Sequence, residues 1–130
     1  MVTTITRLGT WDDVFGAVPA PVRDVAQVLR DVILSDMPHA VEVPRAGDRA
    51  VSYGVGERKM SESHCYLQPQ SARVNLGFWH GTALPDPDGL LEGTGKRLRH
   101  VKVRDGATAR SGPVARLIAA SREERAAALG

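Results

Sequence analysis

The residues of this 130-residue chain with the clearest chemical potential form a basic stretch after a glycine-rich turn. Gly93-Thr94-Gly95 precedes Lys96, Arg97 and Arg99, and residues 96–104 include five lysines and arginines but no acidic residue. Glycines allow backbone amides to converge on an anion, and the cations that follow supply positive charge. The pattern therefore predicts an anion-binding loop. The alternative is a tight turn that needs glycine torsions before a solvated edge strand.

Two more specific anion chemistries do not fit this stretch. The spacing of a phosphate-binding P-loop is absent, since Lys96 is followed by Arg97 rather than by serine or threonine, so nucleotide hydrolysis is not expected. Nucleic-acid binding is also disfavoured, because Tyr53, Tyr66 and Trp79 are the only plausible aromatic platforms for bases. A cationic edge strand has a simpler role, which is to prevent sheets from pairing edge to edge.

The chain shows no assembled nucleophile or metal site. Cys65 is the only cysteine, and its neighbour His64 should project from the opposite face of a strand, so we expect a buried, inert thiol. Potential metal ligands are dispersed without a diagnostic spacing; they are Glu62, His64, His80, Asp86, Asp88, Glu92 and His100. The sequence therefore predicts a protein that is not an enzyme and has no cofactor.

Composition and charge indicate a single domain over residues 1–130. No apolar run is long enough to cross a membrane, and the N-terminus lacks the pattern of an export signal. One cysteine excludes an internal disulfide, so we expect a cytoplasmic protein. Residues 1–95 have 8 basic and 12 acidic side chains (net −4), and residues 96–130 have 9 and 3 (net +6). This asymmetry is compatible with an anion-binding surface or with two halves that neutralise each other.

Apolar periodicity predicts helices at both ends of the chain. Thr10 and Asp13 are typical of a helix start, which predicts a short helix over residues 11–17. Pro21 should open the main N-terminal helix, because apolar residues then recur at steps of three and four until residue 36. A C-terminal helix should begin near Gly112-Pro113 and continue without a break.

Between the helices the apolar period changes to two, which predicts strands. Val41 and Val43 indicate a short strand that ends, or lies at an edge, at Pro44. Three more strands should form an antiparallel meander, and residues 98–104 should form a further strand. The expected fold class is α+β, a two-layer sandwich with an antiparallel sheet of about five strands packed on N- and C-terminal helices.

Alternation also assigns the two faces of the sheet. One face should lie on the helices; it comprises Val51, Tyr53, Val55, Cys65, Leu67, Val74, Leu76 and Phe78. The other should display Ser52, Gly54, His64, Tyr66, Arg73, Asn75, Gly77 and Trp79. This second face could form a ligand pocket, be solvated, or be covered by a second subunit in a homodimer.

Several motifs resemble the YdhG-like family of bacterial proteins, a domain family of unknown function. They are Asn75-Leu76-Gly77-Phe78, Gly81, residues 84–96 and Arg99-His100-Val101-Lys102. The resemblance covers about residues 11–120, and residues 84–102 are its most specific part. It implies an α+β fold and a cytoplasmic bacterial protein, and it brings no set of catalytic residues. One branch, described as a frataxin-like intracellular iron chaperone, implies iron handling as an alternative function.

These observations lead to one hypothesis about function. The protein should be a non-enzymatic binding domain that takes up a small anionic ligand between the exposed sheet face and the loop of residues 93–97. Tyr66, Asn75 and Trp79 should form the platform, and Lys96, Arg97 and Arg99 should supply the charge.

Overall fold

The computed structural model describes all 130 residues and contains one open sheet of six strands. The strands are β1 (Thr3–Thr4), β2 (Val41–Arg45), β3 (Ala50–Gly54), β4 (Ser63–Pro69), β5 (Val74–Phe78) and β6 (Arg99–Val103). They lie side by side in chain order. The β1 strand runs parallel to β2, and every other neighbouring pair is antiparallel. The predicted meander is therefore confirmed within a mixed sheet that has one strand more than expected.

Four α-helices accompany the sheet: α1 (Trp11–Phe15), α2 (Ala20–Asp36), α3 (Gly106–Ala109) and α4 (Gly112–Leu129). The predicted start of α1 is confirmed by a reciprocal cap, in which Thr10 Oγ1 accepts from the Asp13 amide at 3.2 Å and the Asp13 carboxylate accepts from the Thr10 amide at 2.9 Å. The C-terminal helix is continuous, as expected. The structure is thus of the α+β class, and none of its helices combines the length and apolar composition needed to cross a bilayer.

One core joins the helices to one face of the sheet. It includes 21 buried residues, among them Phe15 and Leu29 from the helices and Leu76 and Phe78 from β5. Strand periodicity therefore identifies the core face correctly, with the exceptions of Val55 and His64. Val55 is 51% exposed, because β3 ends at Gly54 and the chain leaves the sheet there.

A β-bulge gives His64 an orientation opposite to the predicted one. Gly54 pairs with Ser63 and Tyr53 pairs with Cys65, so His64 is an extra residue without a partner on β3. Its side chain is buried on the helix side, where Nδ1 lies 2.6 Å from Ser121 Oγ. The predicted display of His64 on the exposed face was wrong. So was the argument that it projects away from Cys65, since His64 Nε2 lies 4.0 Å from the sulfur.

Candidate functional site

A pocket of about 320 Å³ lies on the sheet face opposite the core. Its floor comes from the ends of β2, β3 and β4, and its rim comes from the turns that follow β2 and β3 and from the segment before β6. The lining residues are Arg45, Asp48, Ala50, Ser52, Lys59, Tyr66, Gln68, Trp79 and Leu98. A pocket beside Tyr66 and Trp79 was one of the three alternatives for this face, and a pocket that both residues line is present there.

Two aromatic side chains form one wall of this pocket. The ring centroids of Tyr66 and Trp79 are 4.8 Å apart, with a tilt of 49° between the planes. Tyr66 lies over the backbone of Gly77, where a Cβ atom would come within 1.9 Å of Tyr66 Cζ. The glycine therefore provides the space that holds the tyrosine ring flat against the sheet.

The polar atoms of this aromatic wall are not used by the protein. The Tyr66 hydroxyl makes no hydrogen bond within the protein and is not among the fully enclosed polar atoms, and burial raises the pKa of Tyr66, so the phenol stays protonated at neutral pH. The Trp79 indole nitrogen is enclosed and also lacks a partner. Buried polar groups usually find partners, so the indole nitrogen is an unsatisfied donor enclosed behind the pocket wall.

Arg45 places a cation at the base of the pocket. The residue is only 9% exposed, and its Nε donates to Ser52 Oγ at 3.1 Å while Nη2 donates to the Glu57 carbonyl oxygen. No carboxylate forms an ion pair with it. Its Nη1 has no partner and is not among the fully enclosed polar atoms. Buried charges are normally paired, so Arg45 is a cation that lacks its anion.

The other charges near the pocket neutralise each other. Lys59 Nζ lies 2.8 Å from an Asp48 carboxylate oxygen, and both side chains are about half exposed. The carboxylate of Glu57 pairs with Arg7 instead of turning to Arg45. Two cations and one anion line the pocket, which gives a net charge of +1 there.

The predicted site residues are brought together only in part. Tyr66 and Trp79 line the pocket, whereas Asn75 lies beside Gln68 on the next strand and accepts from Arg73 Nε at 3.2 Å. The face assignment of Asn75 is right, but its side chain lies outside the lining.

The predicted cationic residues lie next to the pocket without lining it. Lys96 and Arg97 are exposed in the loop of residues 93–98, and only Leu98 of this loop reaches the pocket wall. Arg99 donates to the carbonyl oxygens of Gly95 and Leu98, each at 2.6 Å. Its guanidinium therefore donates to the backbone of its own loop.

Arg45 is the residue that sequence reasoning missed. The strand predicted at Val41 and Val43 was expected to end, or to lie at an edge, at Pro44. In the structure β2 lies between β1 and β3 and continues to Arg45, which pairs with Ala50. Val43 and Arg45 pair with Ser52 and Ala50 and lie on the pocket face, whereas Glu42 pairs with Tyr53 and faces the helices. Alternation alone would have placed Arg45 with the valines on the core face, so it does not reveal this cation.

The His64–Cys65 pair lies away from the pocket and is enclosed. Cys65 is fully buried, as predicted, and burial raises the pKa of its thiol. Burial also lowers the pKa of His64 from 6.5 to about 4. A protonated thiol without access to solvent is a poor nucleophile. In addition, no group of three or more His, Cys, Asp or Glu side chains is placed to hold a metal ion.

Comparisons with protein-family models, with curated proteins and with solved structures found no match to this chain. The resemblance to the YdhG-like family therefore stays a prediction.

Proposed function

We propose that this protein is a non-enzymatic binding protein for a small anionic ligand, which occupies the pocket between the open sheet face and the loop of residues 93–98. Arg45 is the anchor for the negative charge, and Tyr66 and Trp79 form the platform for the rest of the ligand. Lys96 and Arg97 contribute attraction from the adjacent loop, because clustered surface charge raises the local concentration of anions.

The state of Arg45 is the observation that carries this proposal. Placing a guanidinium in a site that is nine-tenths buried costs free energy unless hydrogen bonds and an opposite charge compensate it. Ser52 and Glu57 supply neutral acceptors, but the compensating charge is missing. An anion in the pocket would supply this charge, and charge-assisted bonds to arginine are among the strongest in proteins.

No observation favours the second candidate, an iron chaperone, because the side chains that could bind a metal ion do not converge. A catalytic role is not supported either, since no nucleophile and base are paired among the residues that line the pocket.

A thermal-shift screen at constant ionic strength tests the proposal. Inorganic phosphate, sulfate, acetate and benzoate are compared with chloride, and at least one should raise the melting temperature, because binding to the folded state stabilises it by mass action. Arg45→Gln should abolish this shift, and the matched control Arg104→Gln, at an exposed position outside the pocket lining, should retain it. A shift that survives Arg45→Gln, or the absence of any shift for the parent chain, would contradict the proposal. Circular dichroism of each variant confirms that it folds.

A further inference from the structure

We infer that the ligand is a planar aromatic monocarboxylate, an inference that rests on the proposed function. The net charge of the pocket is its first support. With the Lys59–Asp48 pair neutral, Arg45 provides a single uncompensated positive charge. One carboxylate balances this charge. A dianion would leave one negative charge in a partly enclosed site without a partner.

The free edge of the Arg45 guanidinium is the second support. Its Nε and one Nη2 hydrogen already donate to Ser52 Oγ and to the Glu57 carbonyl oxygen. The hydrogens that remain are on Nη1 and on Nη2, and together they form the end of the planar fork. This edge presents two parallel donors, which match the two oxygens of a carboxylate.

The shape of the pocket is the third support. Tyr66 is held flat over Gly77, and Trp79 stands beside it at 4.8 Å, so the ligand meets aromatic surface on one side. Leu98 adds an apolar contact. Aromatic rings favour offset or edge-to-face contact with another ring, which adds to the burial of apolar area. At about 320 Å³ the pocket is at the small end of ligand sites, so it suits a ligand with one ring.

The test uses Trp79 as the reporter in a Trp11→Phe variant, which leaves it as the only tryptophan of the chain. Benzoate is compared with cyclohexanecarboxylate, which has the same charge without a planar ring, and with phthalate, which is a dianion. Benzoate should change the Trp79 fluorescence and bind about tenfold more tightly than either analogue, because only it satisfies both the ring stacking and the single charge. Calorimetry on the parent chain should give the same order.

The outcomes separate this inference from the proposed function. Equal affinity for cyclohexanecarboxylate would overturn the planar ring, and tighter binding of phthalate would overturn the single charge. If inorganic phosphate binds in a manner that depends on Arg45 and benzoate does not bind, the aromatic monocarboxylate is wrong but the anion site stands. If none of phosphate, sulfate, acetate and benzoate binds, both proposals fall. Benzoate binding that persists in Arg45→Gln would place the carboxylate elsewhere and would also overturn the inference.

Discussion

The buried imidazole of His64 should make the fold unstable in mild acid. Burial lowers its pKa from 6.5 to about 4, with Asp36 partly opposing the shift and Arg122 adding to it. Ser121 Oγ donates its only hydrogen to the Ile118 carbonyl oxygen at 2.8 Å, so it accepts a hydrogen bond from His64 Nδ1. The neutral imidazole of His64 therefore has its hydrogen on Nδ1.

The direction of the pH effect follows from this difference in pKa. Below pH 6.5 the unfolded chain binds a proton at His64 that the folded chain does not bind until about pH 4. The free energy of unfolding therefore falls as the pH decreases through this window and is unaffected by His64 above it. Each pKa unit is about 1.4 kcal/mol, so the full loss is about 3 kcal/mol, of which about 2 kcal/mol falls between pH 7.5 and pH 5.

Urea unfolding of the parent and of His64→Asn at these two pH values measures this effect. Asparagine retains a donor toward Ser121 but does not titrate, and the acidic groups are common to both chains, so their contribution cancels. The parent should lose about 2 kcal/mol more than the variant between pH 7.5 and pH 5. The control is His39→Asn, at an exposed position, which should behave like the parent. An equal loss in the parent and in His64→Asn would refute the reasoning.

Two further substitutions and one chemical reaction test the packing of the domain. Glu42→Gln should lower the free energy of unfolding in urea by about 2 kcal/mol, because it leaves Arg30, which is 27% exposed, without its carboxylate. A decrease below about 0.5 kcal/mol would show that the ion pair is dispensable. Gly77→Ala should lower the free energy of unfolding by about 1–3 kcal/mol and weaken anion binding, because the added Cβ would collide with the Tyr66 ring. Unchanged binding would mean that the position of this ring does not matter for the anion. Cys65 should react with a thiol-specific disulfide reagent only as fast as the protein opens, and immediate reaction would contradict its burial.

Much of the fold can be predicted because its long elements bury one face with a regular period. The main helix α2 and the strands β4 and β5 fall in this group. The β1 strand cannot be found in this way, since it consists of two exposed threonines whose pairing depends on β2, far along the chain. Simple alternation of apolar residues also does not predict the bulge at His64. Gly54 is a local sign of this bulge, because a Cβ at this position would lie 2.0 Å from the Glu62 carbonyl oxygen.

The site is only partly predictable for a related reason. Odd and even positions correctly place Tyr66 and Trp79 on the face opposite the core, where they meet. The density of charge in residues 96–99 predicts a site in this loop, whereas in the structure the cations there are exposed or bonded to backbone carbonyl oxygens. A single arginine at a strand end is inconspicuous in a sequence. Its significance comes from its burial without a carboxylate, which only the tertiary structure reveals.

The most direct test of the account is an NMR titration that follows the Arg45 Nε–H and the Trp79 indole N–H resonances. Inorganic phosphate and benzoate are added in separate titrations at constant ionic strength. We predict that at least one of them shifts both resonances in a saturable manner and with the same dissociation constant, while the resonances of Lys96 and Arg97 change little. Saturable shifts confined to residues 93–97, with the Arg45 and Trp79 signals unmoved, would contradict the account.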